Sequence, residues 1–212
     1  KGIKNKNLIK ILGKPLIEYS FDQIKKSKLI DYTILSTDSK KLIHLANKNL
    51  IDTPFIRPKN LSKDNSKSED AILHTINYFE KINKVFDYIL LIEPTSPLRS
   101  HHDIDNIIKF NIKNKFSSSV SLSEVSTCHP NFMYNIKNNK ITKEFKNKKY
   151  QSMPRQKISK LHFMEGSLYI SNIKDFKNKK TFISNNTGGY ILPKWKSFEI
   201  DEPIDLFIFE SL

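Results

Sequence analysis

Two apolar periods run through the chain, and one stretch organises the rest. Val85, Phe86, Tyr88, Ile89, Leu90, Leu91 and Ile92 make a nearly continuous run of β-branched, aromatic and aliphatic residues. That is the pattern of a strand covered on both faces, and it predicts a central parallel strand. Pro94 then removes a ladder donor and Pro97 fixes a second bend, so Glu93, Thr95, Ser96 and Arg99 are expected to project from a stiff turn. In open α/β sheets ligands sit outside the carboxyl ends of the strands. Residues 93–99 are therefore expected to form the floor of a site.

Upstream, residues 8–12 are a short apolar stretch, and Gly13-Lys14-Pro15-Leu16 reads as a turn with Pro15 at the first position of a helix reaching about Lys28. Residues 30–35 suggest a strand, with Thr37 or Asp38 capping a helix over 39–49. After an extended piece at 53–56 and a polar loop at 61–68, Ser68 is placed to cap a helix over 69–82, whose Ile72, Leu73, Ile76 and Phe79 share a face. A helix begins at His102 or Asp103 and runs through Ile112, and residues 117–122 give a strand. This repeated strand–helix alternation predicts an α/β, Rossmann-like fold with a mostly parallel central sheet.

The alternation breaks at residues 123–160. Phe132, Met133, Tyr134 and Ile136 suggest a strand, Asn138-Asn139 a hairpin turn and residues 141–145 the return, an antiparallel arm set into the α/β body. Strand, helix and strand follow at 168–171, 173–176 and 190–192, with a closing helix at 203–212. The expectation is a single domain over 1–212.

Composition narrows the classes. A 212-residue chain with 38% hydrophobic residues supports a substantial core. No apolar run approaches the roughly 20 residues needed to span a bilayer, and the first residues carry no apolar signal region. A soluble, cytoplasmic protein with no membrane association is expected. Cys128 is the only cysteine, which excludes a disulfide framework and a thiolate metal cluster within the sequence. The net charge of +14 could suit nucleic acid, but thirty-three of the basic residues are lysine and only Arg57, Arg99 and Arg155 are arginine. Base readout and bidentate phosphate recognition favour arginine, so the charge reads as surface composition and no nucleic-acid partner is expected. Each arginine lies in a proline-flanked segment, where a fork-shaped donor has a use.

Two segments carry candidate chemistry. Residues 1–7 set Lys1, Lys4 and Lys6 beside Gly2, which suits a loop approaching an anion; a frayed terminus is the alternative. In Glu199-Ile200-Asp201-Glu202-Pro203 an extended backbone points Glu199 and Asp201 to one side, offering the hard oxygen ligands that Mg²⁺ uses; a solvated acidic turn is the alternative. The histidines lack ligand spacing, and the scattered glycines form neither a G-x-G-x-x-G nor a Walker loop. Taken together, a lysine-rich loop, polar strand-end turns and a carboxylate pair suit phosphoryl or nucleotidyl transfer, in which positioning and charge neutralisation do the chemistry.

In order and spacing, K-G-I-K-N-K-N, G-K-P-L-I-E-Y-S, I-L-S-T-D, F-I-R-P-K-N-L-S-K-D-N-S-K-S, E-P-T-S-P-L-R, P-R-Q, E-G-S-L-Y-I and F-E-I-D-E-P-I-D resemble the acylneuraminate cytidylyltransferases, the CMP-sialic acid and CMP-nonulosonic acid synthetases. The resemblance covers essentially the whole chain. It implies a nucleotidyltransferase fold and a reaction of CTP with a nonulosonic acid, giving the CMP-sugar and pyrophosphate with Mg²⁺. It assigns Lys1 and Lys6 to the phosphate loop, with Lys6 at the α-phosphate. Asn7, Arg57 and Ser68 match nucleotide-binding positions, Glu93 and Arg155 sugar-binding ones, and Glu199 and Asp201 the metal carboxylates. The excursion at about 123–160 matches a dimerisation arm and implies a homodimer.

Four departures accompany the resemblance. The family begins with a strand and a glycine- and arginine-bearing loop before the K-G, so the expectation is an N-terminally truncated chain. Glu93 stands where the sialic acid enzymes often carry glutamine, and a carboxylate cannot offer the amide's donors, which points away from N-acetylneuraminate. Phe132 and Phe163 replace cations, leaving Arg155 as partner for the sugar carboxylate, and Glu199 replaces an aspartate. The alternatives to an active synthetase are a non-catalytic sugar-nucleotide-binding remnant, a lysine-rich nucleic-acid-binding domain and a synthetase of the CMP-Kdo type.

Overall fold

Short capped helices and apolar strands, joined by loops that spend their polar groups on one another, carry the chain to the site. The computed structural model describes residues 3–63, 65–125, 128–143 and 157–211. A 3-10 turn at Lys6–Leu8 leads to two-residue strands β1 (Lys10–Ile11) and β2 (Lys14–Pro15), paired antiparallel around Leu12 and Gly13, both at positive φ. Helix α1 (Leu16–Lys26) follows, with Pro15 extended at its N-cap, not inside the helix.

Helix α2 (Lys40–Lys48) is capped by Ser39, whose hydroxyl accepts from the Leu42 N–H. Neither Thr37 nor Asp38 takes the expected capping role; Thr37 accepts from the Ser39 N–H instead. Helix α3 (Ser68–Lys81) starts at Ser68 itself, with Lys67 as N-cap and no side-chain cap, so Ser68 does not serve as the expected cap. Strand β3 (Tyr88–Ile92) precedes α4 (His101–Lys113), which begins one residue early because Ser100 and Asp103 form a reciprocal capping box.

Strand β4 (Ser118–Glu124) is followed by the hairpin β5 (Tyr134–Lys137) and β6 (Lys140–Lys143), turned by Asn138 and Asn139 at φ 50° and 61°. That positive pair is what a two-residue hairpin turn requires, and asparagine tolerates it. The long β7 (His162–Asn172), α5 (Ile173–Lys179), β8 (Thr187–Ile191) and α6 (Pro203–Glu210) complete the order, with Pro203 in the first turn of α6.

The main sheet has the order β3-β7-β4-β8. β7 runs antiparallel to both β3 and β4, while β8 is parallel to β4, so three strands share a direction and β7 opposes them. The sheet is therefore mixed. Residues 85–92 do not form the expected central parallel strand: β3 lies at the edge of the described sheet and pairs antiparallel with β7. An apolar run reports cover on two faces and says nothing about the direction of its neighbour. The strand expected at 30–35 reduces to one parallel bridge, Ile34 with Asp52, because its ladder finds only that partner among the described residues.

Core residues fill both faces of the sheet. Ile72 and Ile76 of α3 pack with Val120, Phe176 and Phe182, against which Ile89 and Leu91 of β3 also lie. On the other face Ile104, Ile107 and Ile108 of α4 pack with Leu168 and Ile170, joined by Leu90 and Ile92. The alternation of β3 between these clusters is the period-two signature of a strand. A third cluster, Ile11, Leu16, Ile200 and Phe209, fixes the N-terminal turn to the segment preceding α6. No described helix is long and apolar enough to cross a membrane.

Candidate functional site

The turn after β3 is held from beneath by a buried arginine. Arg99 is 2% exposed; its Nη1 donates to the Glu93 carbonyl at 3.0 Å and the Ser167 carbonyl at 3.3 Å, and Nη2 to Ser20 Oγ at 2.7 Å. The expectation that Arg99 and Ser96 project from the turn is overturned: both are buried, Ser96 completely. A planar fork with several donors ties the Glu93 carbonyl at the head of the proline turn to Ser167 of β7 and Ser20 of α1, and so stiffens the turn. Burial lowers the Arg99 pKa to about 10, opposed by the charges of Glu165, Asp103 and Glu93.

The same turn positions the carboxylate segment. The Ile200 N–H donates to the Thr95 carbonyl at 2.8 Å, and the Ile200 side chain is fully buried with Ile11, Leu16 and Phe209. Because an extended chain alternates, anchoring Ile200 inward turns Glu199 and Asp201 away from that cluster. Asp201 and Glu202 donate their N–H groups to Asp205 Oδ2 at 2.8 and 2.7 Å, which ends the segment at α6. Lys196 closes the other end: its Nζ lies 2.5 Å from Asp103 Oδ2 and 3.1 Å from Ser100 Oγ, tying the segment to the start of α4.

Lys6 and the carboxylate pair meet here. Lys6 Nζ donates to Asp201 Oδ1 at 2.6 Å, and the loop that carries it is pinned by Ile3 and Ile9 against the cluster containing Ile200. Glu199 lies over Gly166 of β7 and its pKa is raised to about 7, chiefly by burial and then by Asp201 and Glu165, with Lys6 opposing. Glu93 is likewise raised by burial, against the pull of Arg99 and Lys6. Its N–H is fixed by the Ser167 carbonyl at 3.1 Å.

Other candidates lie apart in the hydrogen-bonding pattern. Arg57 donates from Nε to Ser62 Oγ at 3.2 Å, and its N–H is bonded to the Thr37 carbonyl at 3.0 Å. Asn7 sits in the turn with Lys6, and Ser68 begins α3. No hydrogen bond among the described residues links Asn7, Arg57 and Ser68 to one another. Lys1 and Arg155 lie outside the described residues.

Sequence reasoning assigned no role to Glu165, Gly166 or Tyr169. Glu165 is 2% exposed, and its Oε1 accepts from the Ser167 N–H and hydroxyl while Oε2 is buried without a partner among the described residues. The β4–β7 register shifts between Val120 and Leu122, opposite these residues. A lone glycine after an acidic residue at the head of an apolar strand is the signal that marks such a bulge or close approach.

Comparison with known proteins identifies the family. The chain is 28% identical over 206 residues to a pseudaminic acid cytidylyltransferase of Campylobacter jejuni, covering 97% of this chain and 88% of the relative. It is 29% identical to a CMP-N,N'-diacetyllegionaminic acid synthase of Legionella pneumophila, covering all of this chain and 90% of the relative. An N-acylneuraminate cytidylyltransferase of Escherichia coli is 26% identical over 97% of this chain and 47% of its own length. In fold, the chain is similar to a CMP:2-keto-3-deoxy-manno-octonic acid synthetase complexed with CTP, at TM-score 0.68 and 13% identity over 99% of this chain and 92% of that one. A family profile described as cytidylyltransferase matches residues 1–188, which include the Lys6 loop, the turn after β3 and the Glu165–Gly166 bulge. The chain belongs to the cytidylyltransferase family.

Proposed function

We propose that the protein activates a nonulosonic acid with CTP, releasing pyrophosphate and forming the CMP-sugar. The observation that carries this reading is the convergence of Lys6, Asp201 and Glu199 beside the turn after β3, with Lys6 Nζ 2.6 Å from Asp201. In the reaction the sugar's anomeric hydroxyl oxygen forms a bond to the α-phosphorus. The bond from that phosphorus to the bridging oxygen breaks, pyrophosphate leaves, and the hydroxyl proton passes to solvent.

Each group has a task in that step. Lys6 neutralises negative charge at the α-phosphate, and the pinned loop keeps it there without reorganisation. Glu199 and Asp201 are hard oxygen donors on one face, the set that Mg²⁺ uses together with substrate phosphates, and Mg²⁺ would spread the charge of the triphosphate. The fit is favourable because the Glu199 carboxylate, disfavoured in its charged form by burial and by neighbouring anions, gains most from a cation. Among the described residues no group of three or more histidines, cysteines or acidic residues is placed to hold a metal ion by itself. Asn7, Arg57 and Ser68 are assigned to the nucleotide, Lys1 to the phosphates, and Glu93 and Arg155 to the sugar. The exposed hairpin β5–β6 is assigned to a homodimer contact.

Pyrophosphate release from CTP, measured with a panel of nonulosonic acids and Mg²⁺, tests the reading with the full-length protein. Release dependent on both substrates supports it. Nucleotide binding without release under every condition would replace it with a non-catalytic sugar-nucleotide binder.

A further inference from the structure

Facing residues of an antiparallel pair exchange two backbone hydrogen bonds, and beside the candidate site one such exchange is cut in half. The Glu93 N–H donates to the Ser167 carbonyl at 3.1 Å, where the β3–β7 ladder ends. The reciprocal bond is not made. Instead the Ser167 N–H donates to Glu165 Oε1 at 3.1 Å, and the Glu93 carbonyl accepts from Arg99 Nη1 at 3.0 Å. Both side chains are 2% exposed, so a buried anion and a buried cation take the two halves of one ladder bond.

Burying charge is costly unless it is compensated, and here the two charges meet on one residue. Arg99 Nη1 also donates to the Ser167 carbonyl at 3.3 Å, while Glu165 holds Ser167 by its N–H and, at 2.5 Å, by its hydroxyl. Glu165 is the foremost of the charges that offset the burial of Arg99. Opening the pair has a geometric result. The backbone of β7 turns at Gly166, whose φ is +86°, and its register against β4 slips between the Leu122–Met164 and Val120–Tyr169 pairs. Ser121 Oγ meets the Leu168 N–H at 2.9 Å within that slip. The Glu199 carboxylate fills the space that a Cβ of residue 166 would take, so its seat lies between Glu165 and Ser167.

We propose that Glu165 and Arg99 are positioning residues for Glu199: by holding open the Glu93–Ser167 pair they fix the turn of β7 at Gly166, and with it the place of the Glu199 carboxylate beside the turn after β3. Both are buried and act through the backbone. The inference rests on the nonulosonic acid reading above and on its metal assignment, and it names the part of the fold that sets the carboxylate in place. Without the Glu165 acceptor the Ser167 N–H is free to take the Glu93 carbonyl, which extends the regular ladder and draws Gly166 from beneath Glu199. A ligand held off its productive position serves its ion poorly, whereas the nucleotide contacts assigned to Asn7, Arg57 and Ser68 do not depend on this turn.

Two measurements on the full-length protein test this: pyrophosphate release, and the Mg²⁺ dependence of the melting temperature with CTP bound, which reads metal binding without turnover. Glu165→Leu keeps similar bulk and removes the acceptor, and Arg99→Lys keeps the charge and loses the fork. Glu165→Gln keeps an acceptor for Ser167 and is the conservative control. In the first two variants kcat is expected to fall by about tenfold or more and the Mg²⁺ half-saturation to rise, with KM for CTP unchanged. Glu165→Gln is expected to keep most of the wild-type values. Wild-type kcat and Mg²⁺ half-saturation in folded Glu165→Leu and Arg99→Lys, equal damage in Glu165→Gln and Glu165→Leu, or losses confined to melting temperature overturn the proposal and leave the cytidylyltransferase reading intact. Where Glu165→Leu does not fold, Arg99→Lys decides by the same two measurements. No release by the wild-type protein with any nonulosonic acid overturns that reading, and this inference with it.

Discussion

The Glu199 carboxylate lies directly over the Cα of Gly166: a Cβ built there would stand 2.0 Å from Glu199 Oε1, and Gly166 holds φ at +86°. Strand β7 and the irregular segment before α6 are thereby brought closer than any other residue type allows. Gly166→Ala must push the flexible end of Glu199 aside and also strain the backbone, the second costing about 1–2 kcal/mol. The expected outcome is a modest loss of stability with at least about a tenfold loss of turnover, since displacing a catalytic group by an ångström is costly. Thermal melts and pyrophosphate release, measured on the same sample, separate the two; full activity in a well-folded variant would remove Glu199 from the machinery.

Glu199 also predicts a pH dependence in the metal-free protein. Its folded pKa, about 7, lies above the ordinary carboxylate value of 4.5, so the fold binds its proton more tightly than the unfolded chain does. Its contribution to stability is complete below about 4.5 and is lost as pH rises through about 7. Glu199→Gln should flatten that part of the stability profile, and Mg²⁺ should protect the wild-type protein most at the upper end of the window. Melting curves across the range check both.

Removing the two carboxylates assigned to the metal one at a time gives a sharper outcome. Glu199→Ala and Asp201→Ala are each expected to abolish turnover, and Asp201→Ala also frees Lys6 from its bond. Chelation should do the same to the wild-type protein, and retained turnover in both variants would withdraw the metal assignment.

Lys196 and Asp103 form a largely buried pair, with side chains 12% and 8% exposed. Lys196→Met strands the Asp103 charge and should cost about 3 kcal/mol in denaturant unfolding. The double variant Lys196→Met/Asp103→Asn should recover part of that loss. Because the pair anchors the segment leading to Glu199, kcat should fall more than nucleotide affinity.

The hairpin β5–β6 exposes apolar surface, with Ile136 at 75% and Ile141 at 65%. If this surface joins two copies of the chain, Ile136→Asp/Ile141→Asp should shift a sedimenting dimer to monomer without loss of secondary structure. An unchanged sedimentation coefficient would remove the arm from the interface.

Much of this protein is local and was therefore written in the pattern of residues. The helices, the Asn138-Asn139 turn, Pro203 at the head of α6 and the alternation that turns Glu199 and Asp201 to one side all follow from neighbours in sequence. The site's motifs are equally local, since Lys6 and the proline turn each depend on a few adjacent residues. What the pattern could not decide is which distant segments lie side by side. The apolar run before Glu93 gave no sign that β7 would pair with it in the opposite direction, and nothing near Arg99 marked it as a buried brace in place of an exposed donor. Only packing settles such matters, because hydrogen-bond direction and the burial of a charge depend on what the rest of the chain brings alongside. The contact of Glu199 with Gly166, and the Glu165 oxygen one residue away that is unpaired among the described residues, exist for that reason alone.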